Sequence, residues 1–149
     1  MSFAQPSLKG RALRLLSGRE HSRAELTQKL QRFEEEPGSL AQALDELQAK
    51  GFINEQRVIE SVLYRRAAKL GTARLQQELQ AKGLDPQAVN AALASLRSSE
   101  RERAAVVWQK KFGTVAVNGA DAARQMRFLA ARGFSAEAIR RVVAGRQDD

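Results

Sequence analysis

The chain has 149 residues, with 25 Lys and Arg against 17 Asp and Glu, so its formal net charge is +8. It contains no cysteine and one histidine, His21, which excludes disulfides, thiol nucleophiles and metal sites that need several histidines or cysteines. Residues that favour helices, above all Ala, Leu, Gln, Glu and Arg, are abundant, while Val, Ile and Thr are scarce. This composition predicts an all-α protein.

Capping signals place the helix starts along the chain. Ser22 with Glu25 and Ser99 with Glu102 have the spacing of a capping box, and Asp85 precedes a proline suited to the first helical position. The further candidate N-caps are Asn54, Thr72 and Ser135. The candidate helix stops, at which a left-handed glycine would close the last turn, are Gly18, Gly51, Gly71, Gly83, Gly133 and Gly145.

These signals and the spacing of the apolar residues predict nine helices. In chain order they span residues 7–17, 23–33, 39–50, 55–69, 73–82, 86–97, 100–112, 120–132 and 136–144. The glutamate-rich segment 34–38 and the glycine-bounded segment 113–119 are predicted loops, since neither fits the helical pattern.

The chain also repeats itself. The residues Leu79, Lys82, Gly83 and Leu84 recur fifty positions later as Leu129, Arg132, Gly133 and Phe134, and Leu30 lies 49 residues before Leu79. A period of this size is typical of stacked helical units. We therefore predict three tandem three-helix repeats, residues 1–51, 52–98 and 99–149, that stack into an elongated, curved array.

The order of these motifs resembles the RecX family, the bacterial regulators of the RecA recombinase. The segments that carry the resemblance are residues 15–26 (LLSGREHSRAEL), 47–55 (LQAKGFINE), 78–84 (ELQAKGL) and 129–135 (LAARGFS). The resemblance implies a protein that binds RecA along the groove of the RecA–DNA filament. It also implies suppression of strand exchange, ATP hydrolysis and co-protease activity.

Positive charge concentrates toward the C-terminus: residues 1–50 carry eight basic and seven acidic side chains, whereas residues 101–149 carry ten and five. Such a surface could contact phosphates or an acidic protein, or it could be an ordinary solvated face. The candidate partner-binding residues are Arg57, Tyr64, Arg65, Lys69, Arg74, Arg103, Lys110, Lys111, Arg124, Arg127, Arg132, Arg140 and Arg141.

Helical geometry separates core from surface for several single residues. Trp108 falls on the apolar face of its helix and is a predicted core residue, whereas Val106 points outward between two cations. Tyr64 points away from the apolar face, either as an interface anchor or packed against a neighbouring repeat. Arg66 falls inside the apolar arc, where it would extend to solvent or pair with an acid, and His21 is a predicted loop residue.

No residues are spaced as a catalytic acid–base pair or as a phosphate-binding glycine loop, so we expect no enzyme activity and no cofactor. No apolar run approaches the roughly 18 to 20 residues of a membrane span, which favours a cytoplasmic protein without membrane contact. The resemblance makes the RecA filament the expected partner of a monomer, with auxiliary contact to single-stranded or duplex DNA. A helix-turn-helix transcription regulator is the alternative, since short helices joined by tight turns and a positive charge also suit DNA binding.

Overall fold

The computed structural model describes residues 5–144. Within this range the chain forms nine α-helices and no β-strand, which confirms the all-α prediction. In chain order the helices are α1 (Leu8–Gly18), α2 (Arg23–Leu30), α3 (Ser39–Ala49), α4 (Glu55–Arg66), α5 (Thr72–Ala81), α6 (Pro86–Arg97), α7 (Glu100–Lys111), α8 (Gly119–Ala131) and α9 (Ala136–Ala144). No helix in this range is both long and apolar enough to cross a membrane.

Most predicted capping residues begin their helices as expected. The Ser22 hydroxyl accepts the Glu25 N–H and the Glu25 carboxylate accepts the Ser22 N–H, so α2 starts with a complete capping box. Side-chain oxygens of Asn54, Asp85 and Ser135 accept the N–H groups that begin α4, α6 and α9. Each cap satisfies a donor that the helix leaves unpaired.

Three local predictions are wrong. Thr72 is not an N-cap, because Gly71 holds the cap position of α5 and Thr72 is the first helical residue. Ser99 makes no capping bond, since its hydroxyl donates to the carbonyl of Leu96. Gly18 and Gly71 are not left-handed stops, whereas the predicted stops Gly51, Gly83 and Gly133 have positive φ.

Two helices end earlier than predicted. The segment 23–33 is α-helical only to Leu30 and closes with a tighter 3₁₀ turn, Gln31–Phe33. The segment 55–69 is helical to Arg66 and continues as a turn. The candidate stop Gly145 and the rest of residues 145–149 lie outside the described residues.

Each group of three helices encloses its own hydrophobic core. We call α1–α3 repeat 1, α4–α6 repeat 2 and α7–α9 repeat 3. The largest fully buried apolar side chains are Leu26, Leu44 and Leu47 in repeat 1, Ile59, Leu75, Leu79 and Leu93 in repeat 2, and Trp108 and Leu129 in repeat 3. Trp108 is thus a core residue, as predicted.

The repeats stack into an elongated array. Ala12, Val58 and Ala104 are buried at equivalent places, 46 residues apart, in the first helix of each repeat. The accessible surface is 9610 Å², whereas a compact monomer of this mass would expose about 7,500 Å². The predicted repeat boundaries fall in the links between α3 and α4 and between α6 and α7.

Side chains join repeat 1 to repeat 2, in a contact that we call junction 1. The Ser22 hydroxyl donates to the Lys82 carbonyl at 2.6 Å, and Lys82 Nζ lies 3.2 Å from the Glu25 carboxylate. Arg57 Nε donates to Glu20 at 2.9 Å. A helix N-terminus in repeat 1 therefore receives the turn that follows α5.

Backbone groups join repeat 2 to repeat 3 at the equivalent place, junction 2. The Gly71 N–H donates to the Arg132 carbonyl at 2.9 Å, and the Thr72 N–H donates to Glu100 at 2.7 Å. A Cβ added to Gly71 would overlap the carbonyl of Gly133, so two backbones touch here without an intervening side chain. The repeated pair of a basic residue and glycine, Lys82-Gly83 and Arg132-Gly133, is thus the element by which each repeat docks on the one before.

Candidate functional site

A groove with an apolar floor and a basic rim crosses the boundary between repeats 2 and 3. Its volume is about 350 Å³. The floor is formed by Ala68, Val106, Val107 and Phe128, and the rim by Lys69, Lys110, Lys111 and Arg132. We call these eight residues the basic–aromatic groove. Four of the thirteen predicted partner-binding residues, contributed by both repeats, meet here.

Two phenylalanines organise the cations along one side of this groove. The rings of Phe112 and Phe128 pack edge to face with centroids 5.4 Å apart. Lys111 Nζ lies 5.2 Å from the Phe128 centroid and the Arg132 guanidinium 4.8 Å from the same ring. Arg124 lies over Phe112 at 5.0 Å. Cation–π contacts limit the motion of these side chains and leave their charge facing solvent.

A buried hydrogen bond fixes the two helices that carry the groove. The Trp108 indole N–H of α7 donates to the Gln125 side-chain carbonyl of α8 at 2.8 Å, and the Gln125 amide donates to the Thr114 carbonyl. Gln125 is only 1% exposed, and a buried amide must find such partners. This bond joins α7, which carries Val106, to α8, which carries Phe128.

Exposed residues at the end of α4 precede the groove residues Ala68 and Lys69 along the chain. Tyr64 is 92% exposed, so the interpretation that it packs against a neighbouring repeat is wrong. It precedes the groove residue Ala68 by four positions, and α4 ends between them at Arg66. Arg65 beside it is also exposed. The exposed Tyr64, followed by the exposed Arg65, is available to a partner.

Three other predicted residues lie at the junctions. Arg57 binds Glu20 and the Gly51 carbonyl, and Arg74 donates to the Ala131 carbonyl. The guanidinium of Arg103 donates to the carbonyls of Leu96 and Leu70. Burial lowers the pKa of Arg103, while nearby Glu100 opposes that shift. The remaining predicted residues are spread over the exposed surface of repeat 3 as Arg127, Arg140 and Arg141.

A second basic groove, which the sequence analysis missed, lies at the outer side of repeat 1. We call it the N-terminal groove and define it by Arg11, Arg14, Leu15, Lys29, Arg32 and Phe33. Its volume is about 1,060 Å³. Arg11 lies 3.8 Å and Arg32 4.6 Å from the centroid of the Phe33 ring. The signal that could have revealed it is the spacing of Arg11 and Arg14 on one face of α1.

The titratable groups near these grooves have structural partners. His21 is a loop residue, as predicted, but it is buried, with Nδ1 3.0 Å from the Arg19 carbonyl and Nε2 3.0 Å from Lys29 Nζ. Burial is the main cause that lowers the pKa of His21. Arg66 forms a two-bond ion pair with Glu78, which confirms that it pairs with an acid. Among residues 5–144, no three acidic or histidine side chains converge as a metal site would require.

Comparisons with known proteins identify relatives along the whole chain. The family models of the first, second and third three-helix domains of RecX match residues 9–47, 54–93 and 99–143. The chain is 48% identical to the regulatory protein RecX of Leptothrix cholodnii over 93% of this chain and 88% of the relative. It is 43% identical to the protein of the same name from Herminiimonas arsenicoxydans over 100% and 99% of the two chains.

Solved structures show the same fold. A crystal structure of regulatory protein RecX superposes with a TM-score of 0.77 at 18% identity, covering 92% of this chain and 71% of the other. RecX from Lactobacillus salivarius superposes with a TM-score of 0.73 at 19% identity, covering 92% of each chain. The arrangement of the helices is therefore retained at low sequence identity.

Proposed function

The chain belongs to the RecX family, and on that premise we propose that it is a non-catalytic regulator of the RecA recombinase. It binds RecA and the filament that RecA forms on DNA, as a cytoplasmic monomer. Binding inhibits the recombinase, ATPase and co-protease activities, and so regulates homologous recombination, DNA repair and the SOS response.

The observation that carries this proposal is the basic–aromatic groove. Lys69 from repeat 2 and Lys110, Lys111 and Arg132 from repeat 3 surround an apolar floor. A partner that fits this groove offers negative charge around an apolar or planar group, because the cations of the rim and the exposed apolar side chains are then covered together. Acidic protein surfaces and single-stranded DNA both have this character, and a recombinase filament on DNA contains both protein surface and DNA.

The spread of the cations favours a filament regulator over a helix-turn-helix repressor. A repressor reads bases with several side chains of one recognition helix. Here the rim residues come from the turn after α4, from α7 and from the turn after α8. Contact with DNA is auxiliary in this proposal, so we expect it to be weak and to decrease steeply with salt.

Reversing two rim charges tests the proposal. In the variant Lys69→Glu/Lys110→Glu, the inhibition of RecA ATP hydrolysis on single-stranded DNA should require about tenfold more protein, because like charges then meet at the contact. Both lysines are exposed, so circular dichroism should show an unchanged helical fold. Co-sedimentation with preassembled RecA filaments should show the same loss.

The matched control is Lys50→Glu/Arg97→Glu, which makes the same change of charge at two exposed positions outside the groove. It should inhibit like the unaltered protein. Absence of inhibition by the unaltered protein at large excess would remove the proposed function. Sequence-selective nanomolar binding to duplex DNA at physiological salt would instead favour the transcription regulator.

A further inference from the structure

The N-terminal groove occupies in repeat 1 the place that the basic–aromatic groove occupies in repeat 3. In repeat 1, Lys29 lies immediately before the buried Leu30 and Phe33 lies three residues after it. In repeat 3, Phe128 lies immediately before the buried Leu129 and Arg132 lies three residues after it. An aromatic and a basic residue thus exchange positions between the two grooves. Both grooves combine cations, an aromatic ring and an apolar floor.

The two grooves differ in what lies next to them. In repeat 3 the preceding repeat contributes Ala68 and Lys69 and narrows the groove to about 350 Å³. Among the described residues no repeat lies against the corresponding side of repeat 1, and the N-terminal groove is about 1,060 Å³. Within residues 5–144, the N-terminal groove therefore lies on a side of repeat 1 that no other repeat covers.

The equivalents of Arg11 show what such a side binds. Arg11, Arg57 and Arg103 each precede the equivalent buried residue of the first helix, at intervals of 46. Arg57 binds a carboxylate and a backbone carbonyl of repeat 1, and Arg103 binds backbone carbonyls of repeat 2. Both bind oxygen acceptors of the neighbouring repeat, whereas Arg11 lies over the Phe33 ring and donates to the side-chain carbonyl of Gln5 within its own repeat.

We propose that the N-terminal groove docks an acidic protein segment. Its carboxylates pair with Arg14, Lys29 and Arg32, and an apolar side chain enters between Leu15 and Phe33. Arginine forks bind carboxylates through two parallel hydrogen bonds, which suits this role. A protein is favoured over a nucleic acid because Arg57 and Arg103, the equivalents of Arg11, bind a carboxylate and backbone carbonyls of the neighbouring repeat.

A second copy of the chain cannot bind this side of repeat 1 through the contact that joins the repeats within one chain. The docking turn of repeat 2 needs glycine, because a Cβ on Gly83 would lie 2.7 Å from the Cβ of Ala24. At the equivalent turn repeat 1 has Phe33-Glu34 instead of Lys82-Gly83, so the glycine that this contact needs is absent there. The occupant is therefore a different protein segment, whether or not that segment belongs to the recombinase.

Peptide selection tests this inference independently of any recombinase assay. Displayed random peptides of about twelve residues, a length that fills such grooves, would be selected on the full-length protein. Enriched sequences should carry Asp or Glu around one apolar residue. Their binding, measured by fluorescence anisotropy, should weaken at least about tenfold in Arg14→Glu/Arg32→Glu, because two ion pairs become repulsive.

The control variant is again Lys50→Glu/Arg97→Glu, which should bind the selected peptides unchanged. Failure to enrich acidic peptides, or equal binding to both double variants, would overturn the inference. So would an oligothymidylate of about fifteen nucleotides that binds more tightly than the peptides and loses its binding in Arg14→Glu/Arg32→Glu. A dimer that the same variant dissociates would assign the groove to a second copy instead.

Discussion

The two junctions of the array hold equivalent surfaces together by different chemistry. Junction 1 depends on charged side chains, with Glu25 accepting from both Arg19 and Lys82 and with Arg57 bound to Glu20. Junction 2 depends on backbone groups: the Gly71 N–H is bound directly to the Arg132 carbonyl, and the side chains of Glu100 and Arg74 bond to backbone groups of the facing repeat. The same docking geometry can thus be stabilised by ion pairs or by close backbone approach, and the two should respond to different perturbations.

Adding one methyl group should break junction 2, and this is the largest effect that we expect. Gly71 has φ −78° and ψ 166°, which alanine also adopts, so Gly71→Ala adds no backbone strain. The new Cβ would overlap the Gly133 carbonyl, which cannot move without displacing repeat 3. We expect the free energy of unfolding to fall by about 3 kcal/mol, the upper range for overpacked sites. Repeat 3 should then unfold in a separate calorimetric transition.

Gly18→Ala is the matched control for that substitution. A Cβ on Gly18 meets no atom within 4 Å, and its φ is not positive. Alanine there should leave the stability unchanged or raise it by about 0.5 kcal/mol, since it reduces the freedom of the unfolded chain. Equal effects of the two substitutions would refute the close backbone contact at junction 2.

Acid should weaken junction 1 selectively. Burial alone would raise the pKa of Glu25, but hydrogen bonds from Arg19, the Ser22 N–H and Lys82 outweigh it and lower the pKa to about 2. A carboxylate with a lowered pKa in the folded state stabilises it fully above pH 4.5, and this contribution is lost as the pH falls toward 2. Because the side chain is only 14% exposed, we expect Glu25 to contribute about 2 kcal/mol to the free energy of unfolding above pH 4.5.

Urea unfolding at a series of pH values from about 5 down to about 2.5 measures this contribution, because most of it is lost in that range. Glu25→Gln should flatten the pH dependence of the free energy of unfolding. Glu46→Gln is the control, because the pair of Glu46 with Lys9 is solvent-exposed and lies outside the junction. A pH dependence that Glu25→Gln leaves unaltered would contradict the role assigned to Glu25.

The helices and their repetition could be predicted because they depend on local signals. Buried leucines at regular intervals, among them Leu79 and Leu129, and the caps Ser22, Asn54 and Asp85 act within a few residues of the chain. A local signal is misleading where a distant neighbour determines the residue's role. Gly71 resembles a helix stop in the sequence. Its side chain must be absent, however, because the backbone of Gly133, 62 residues later, occupies the space that a Cβ would need.

The candidate site could be predicted only in part, for the same reason. Charge and helical position selected Lys110, Lys111 and Arg132, but the sequence does not reveal that Phe128 lies between them. Nor does it distinguish a cation that meets solvent from one that meets a backbone carbonyl, as Arg103 does. The N-terminal groove was missed because repeat 1 is nearly neutral as a whole, while its cations gather on one side.

The equivalent arginines of the two junctions offer the smallest and most direct comparison. Arg57→Lys should lower the free energy of unfolding by less than about 1 kcal/mol, because the ion pair of Arg57 with Glu20 is partly exposed. Most of this effect should disappear in high salt, which screens exposed charges. Arg103→Lys should cost about 1.5 kcal/mol at any salt concentration, because one lysine cannot replace a guanidinium that bonds two carbonyls at once. Urea unfolding at low and high sodium chloride measures both. If the two substitutions showed the same cost and the same salt dependence, the difference in chemistry between the junctions would not govern their stability.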